Sequence, residues 1–153
     1  MGITAAEPFL IVEVEAGPPS EPGRTGAGGR RFIPLLGGRV SGEIEGEIIP
    51  GGADWQTVHD DGNLQIEAHY AFRTASGAVV EVLSSGVRAG PPEVLRRLGA
   101  GEVVDPGEYY FRTAIRFRTG TQELAHLNFR LTVARGAPAG FGWRCSRFSS
   151  RLG

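Results

Sequence analysis

The stretch Leu64-Gln65-Ile66-Glu67-Ala68-His69-Tyr70-Ala71-Phe72-Arg73-Thr74 decides the fold. Leu64, Ile66, Ala68, Tyr70 and Phe72 fall on one side of an extended chain, and Gln65, Glu67, His69 and Arg73 fall on the other. A period of two is the signature of a strand in a sheet with unlike faces. Ala75-Ser76-Gly77 then supplies a turn, and residues 78–87 return as the second arm of a hairpin. The same alternation runs outward in both directions. Before it lie strands over residues 8–16, 30–36 and 39–49, the last broken by Pro50-Gly51-Gly52. After it lie strands over 108–119 and 123–134, turning at Gly120-Thr121, with a weak last strand or tail within 136–153. Residues 17–29 lack apolar periodicity and read as a mobile loop.

Residues 91–98 form the single expected helix: Pro92 suits its first turn, Val94, Leu95 and Leu98 share a face, and Gly99 suits its end. With 24 Gly and 10 Pro in 153 residues, the chain has the turn chemistry that many short strands require. The expectation is one all-β domain over 1–153. Its form would be a closed antiparallel barrel of about eight strands, lipocalin-like in shape.

Charge and cysteine usage narrow the function classes. The formal net charge is −1, with sixteen basic residues, all of them Arg. No basic stripe favours nucleic acid, and the lack of Lys excludes a side-chain Schiff base. The single Cys145 cannot form an internal disulfide, which fits a reducing, cytoplasmic setting. Residues 1–8 show no secretory signal and no run suits a membrane helix. His59, His69 and His126 have none of the usual metal-ligand spacings, so neither a metal nor a cofactor is expected. Cys145 sits between Arg144 and Ser146-Arg147, yet reads as a small apolar residue more readily than as a nucleophile.

Acid–base chemistry is the best-supported option. Asp54 follows the Gly51-Gly52 turn and precedes Trp55; a carboxylate against an indole in an apolar mouth would have a raised pKa. The plainer reading is an Asp that bonds its own turn. Tyr110 and Arg112 project to one side of a strand and, with Asn128, could hold a developing negative charge. All of this assumes that the polar strand faces enclose a hollow. Alternation fixes two faces but not which looks inward.

The runs Pro34-Leu35-Leu36-Gly37-Gly38-Arg39, Pro50-Gly51-Gly52-Ala53-Asp54-Trp55, Gly86-Val87-Arg88-Ala89-Gly90-Pro91 and Tyr109-Tyr110-Phe111-Arg112-Thr113 resemble the family filed as domain of unknown function 3237. The likeness covers roughly residues 8 to 135. It implies a single antiparallel β-barrel and small organic ligands. It carries over Asp54 and Trp55 at the barrel mouth, Glu67, Arg88, Tyr110, Arg112 and Asn128. His69 and His126 replace the Arg and Trp usual there, and Ser76 replaces an acidic residue.

Three functions remain open. The first is a cofactor-independent isomerase, cyclase or lyase acting on a small oxygenated, polyketide-like or aromatic metabolite. In it Asp54, Glu67 or His69 would move a proton, Tyr110 and Arg112 would assist, and Trp55, Arg88, His126 and Asn128 would bind. The second is a barrel that binds such a molecule without changing it. The third is a structural or interaction protein with a filled core. A homodimer is expected if the apolar faces point outward.

Overall fold

The structure, a computed structural model, describes residues 9–139 and 142–149, with side chains described as far as residue 136. The strands are β1 (Leu10–Ala16), β2 (Ser20–Thr25), β3 (Gly28–Gly42), β4 (Gly46–Val58), β5 (Leu64–Thr74), β6 (Val79–Ala89), β7 (Tyr110–Arg118), β8 (Leu131–Ala139) and β9 (Gly142–Ser149). Helix α1 spans Pro92–Gly99, and 3₁₀ turns occupy Pro106–Glu108 and Gln122–Phe129. The strands make one curled antiparallel sheet in the order β1-β9-β8-β7-β6-β5-β4-β3-β2, and β1 pairs with β3 as well. No helix among the described residues is long and apolar enough to cross a membrane.

The apolar sides of the strands meet in the interior. Tyr70, Phe72, Val80, Val82, Ile115 and Phe117 are buried together with Leu10, Val12 and Val14 of β1. A second cluster joins Leu64, Ile66, Tyr109 and Phe111 to Leu95 and Leu98 of α1, so the helix packs at this part of the sheet. Phe72 and Phe117, at 0% and 1% exposure, each bury a large ring. Such a ring contributes roughly 1.5–3 kcal/mol relative to exposure. The expected enclosure by charged faces is therefore corrected: Glu67, His69, Arg116 and Arg118 are exposed on the outer side. Burying that set unpaired would cost more than the sheet could return. The reason for expecting a homodimer, apolar faces turned outward, falls with it.

Four local expectations also change. The single strand expected over 39–49 is two: β3 runs from Gly28 to Gly42, the chain reverses over residues 43–45, and β4 pairs back with Gly46 opposite Val40. Residues 17–29 are not a loop: β2 pairs with Gly28–Phe32 of β3. All six β2 residues are exposed, so the strand rests mainly on backbone pairing and leaves no hydrophobic pattern to read. Pro50-Gly51-Gly52 does not end its strand. Ile49 pairs with Ala71 and Ala53 with His69, so β4 runs on through a bulge, with Gly51 at φ +119°. Finally, residues 123–129 coil as a 3₁₀ turn and β8 starts only at Leu131. The alternation of Leu127 and Phe129 is deceptive there, since Leu127 is buried while Phe129 is 95% exposed.

Candidate functional site

The bulge on β4 hands the strand back in a register that points Asp54 and Gln56 inward. Cross-strand pairing then lines up two inward rows. Asp54 stands opposite Ala68, Ala68 opposite Ser84; in the next row Gln56 faces Ile66, Ile66 faces Gly86, and Gly86 faces Thr113. Ala68, Ser84 and Gly86 are small, so the rows leave space. At Gly86 any larger residue would overlap the Arg112 carbonyl and Thr113. The space is a cavity of about 50 Å³, walled by Val14, Leu35, Ile66 and Phe111 and reached by Asp54 and Thr113.

Asp54 is 6% exposed. Arg31 Nε donates to Gln56 Oε1 at 2.6 Å, and Gln56 Nε2 donates to Asp54 Oδ2 at 2.7 Å. The guanidinium has only donors, so it fixes the amide: Oε1 must face Arg31 and the NH₂ must face Asp54. Oδ2 is thereby held as an acceptor, and a proton on Asp54 resides on Oδ1. Both Asp54 Oδ1 and Thr113 Oγ1 are buried without a hydrogen-bond partner among the described residues. Burial pushes the Asp54 carboxyl up to about 6, against the opposing pull of Gln56, Arg31 and Arg88. Burial likewise draws Arg88 down to about 10, helped by the charge of Arg31, and raises the Tyr109 phenol. Loss of water around a charged form is thus the main cause in each case.

Of the residues singled out from sequence, the structure gathers only Asp54 and Arg88 inside. The raised Asp54 pKa comes from this burial and not from an indole: Trp55 points outward, 40% exposed and stacked on Phe32 at 4.7 Å between ring centroids. Trp55, Glu67 and His69 border an external groove of about 450 Å³. There His69 Nε2 pairs with Glu81 Oε2 at 2.6 Å. Tyr110 is 54% exposed beneath the Arg112 guanidinium, also outside. Asn128 bonds the Thr119 backbone twice, at 2.8 and 2.9 Å, and closes the 3₁₀ turn. His126 is exposed in that turn and so does not meet His69 across the sheet. Cys145 has its backbone in β9 and its side chain outside the described residues. Sequence reading missed Arg31, Gln56, Ser84 and Thr113. Their common signal is an inward register position, given by strand alternation for Ser84 and Thr113 and by the β3–β4 pairing for Arg31 and Gln56.

The sequence model of a family described as "Protein of unknown function (DUF3237)" matches residues 4–142. The chain belongs to the DUF3237 family. This DUF3237 protein is 47% identical over 115 residues to a UPF0311 protein of Bradyrhizobium diazoefficiens, covering 75% of this chain and 76% of that one. It is similar to the crystal structure of a conserved protein of unknown function from Rhodopseudomonas palustris, with TM-score 0.88 and 40% identity over 93% of this chain and 94% of that one. A structure from Acinetobacter baumannii described as a beta-barrel like protein matches at TM-score 0.78 and 32% identity, covering 94% of each chain.

Proposed function

We propose that this DUF3237 protein is a cofactor-independent isomerase, cyclase or lyase whose acid–base group is Asp54, acting on a small oxygenated organic molecule. One observation carries the reading: the buried Asp54 carboxyl, pushed up to about 6, borders a small apolar cavity and has one oxygen with no hydrogen-bond partner among the described residues. A group with that pKa exchanges protons readily at neutral pH, and water exclusion strengthens its interaction with a substrate. Arg31 and Arg88 place positive charge around Asp54, which favours its return to the carboxylate after a proton is delivered. The ring of pairings from β1 through β9 to β3 and back to β1 supports a closed eight-stranded barrel around the cavity. The single cysteine suits a cytoplasmic setting.

Only the reacting end of a substrate fits: with roughly 10–15 Å³ per water-sized group, the cavity takes about four non-hydrogen atoms. The test is a screen of small enolisable ketones and hydroxy compounds for deuterium exchange or isomerisation, repeated with Asp54→Asn. Turnover should collapse while binding persists, and with Asp54 as base the wild-type rate should climb as pH rises through about 6. Binding without any Asp54-dependent turnover would leave a non-catalytic ligand-binding barrel instead.

A further inference from the structure

We propose that Thr113 is the second ligand-holding group of the cavity, and that the site takes an uncharged carbonyl compound whose oxygen accepts from Thr113 Oγ1 and whose α-hydrogen faces Asp54 Oδ1. The inference rests on the acid–base reading of Asp54 and adds the substrate class.

Two buried side chains border one apolar-walled space, Asp54 at 6% exposure and Thr113 at 4%, and each has an oxygen with no hydrogen-bond partner among the described residues. A buried hydroxyl without a partner is costly, so a site that keeps one gains when a ligand supplies the missing bond. The apolar walls select an uncharged ligand. An ion of either sign entering the cavity would lose its water against Val14, Leu35, Ile66 and Phe111, which solvate no charge. Arg31 and Arg88 are already opposed by the Asp54 carboxylate, so the site has no large excess charge to repay that loss. The groups facing Asp54 are therefore Arg31 from β3, Gln56 from β4 and Arg88 from β6, with Ser84 of β6, Tyr70 of β5 and Thr113 of β7 around the cavity.

The Arg31–Gln56 relay also commits the carboxyl. Oδ2 accepts from Gln56 Nε2, which leaves Oδ1 as the oxygen that gives or takes a proton. Enolisation then balances with these groups alone. The α C–H bond breaks and its proton passes to Oδ1. Its electron pair becomes the C=C bond, and the carbonyl π pair moves onto the oxygen held by Thr113. Return of the proton to another carbon or to oxygen completes an isomerisation.

The test compares three probes of four non-hydrogen atoms: acetone, isobutene and acetate. Binding is followed by ¹⁵N NMR titration of the protein at pH 7.5. Acetone should bind more tightly than acetate. Thr113→Val, which keeps the shape and removes the hydroxyl, should weaken acetone about tenfold and leave isobutene unchanged. Thr113→Ser should restore acetone binding. Acetate binding better than acetone would overturn the proposal, as would acetone binding unchanged in Thr113→Val. The acetone–acetate comparison needs only the wild-type protein, so a variant that fails to fold does not block the test. Thr113-dependent acetone binding without Asp54-dependent deuterium exchange would support the Thr113 contact and the uncharged ligand class and sink the proton-transfer reading.

Discussion

Asp54 carries an energetic penalty whose sign can be measured. Folding raises its pKa from 3.8 to about 6, so the folded chain holds that proton more tightly than the unfolded chain. The burden is absent below about 3.8 and grows as pH rises through 6. Above that it reaches about 3 kcal/mol, at 1.36 kcal/mol per pKa unit. Asp54→Asn should therefore stabilise the protein at pH 8 by an amount approaching this figure, and by little at pH 4. Urea unfolding at the two pH values checks it; equal gains would refute the burial argument. Gln56→Leu deletes the donor that holds Oδ2, so the Asp54 carboxyl should titrate above 6 in a ¹³C NMR titration. At this scale Asp54 was singled out for a neighbour, the Trp55 indole, that the structure turns outward. Gln56 and Thr113 are common residue types whose meaning comes only from their strand partners.

At the level of elements, Asn128 shows how a carried-over candidate changes its meaning. Its amide accepts from Thr119 N and donates to Thr119 O, so it closes a turn outside the cavity. Asn128→Ala should lower stability by about 1–2 kcal/mol by leaving those backbone groups short of partners. It should leave the Asp54 titration unmoved; a shift there would tie Asn128 to the site. Gly38 makes a comparable point on β3. Its φ is +141°, and a Cβ there would overlap the Glu13 carbonyl oxygen of β1. The alternating strands β1, β5, β6 and β7 were plain from periodicity. Strand β2 and the 3₁₀ turn were not, because one buries no side chain and the other mimics alternation.

For the whole molecule, the pairing of β1 with β9 joins the two ends of the described chain. Contacts so distant in sequence slow folding, so refolding should occur in about milliseconds to seconds. Stopped-flow tryptophan fluorescence reads this directly, and a microsecond phase carrying the full amplitude would contradict the topology. The core itself tolerates little loss: Phe72→Ala should cost about 3–5 kcal/mol in chemical denaturation.

The sequence by itself determined the all-β class, the β5–β6 hairpin, the short helix and the two unlike faces of the alternating strands, because these follow from local spacing. Only the tertiary structure decided which face looks inward. That choice depends on the sum of apolar burial over all strands, and it moved Glu67, His69, Tyr110 and Arg112 to the outside. It also decided the site. A two-residue excess on β4 and a row of small residues across β5 and β6 together open a space beside Asp54, and no single stretch of chain encodes that coincidence.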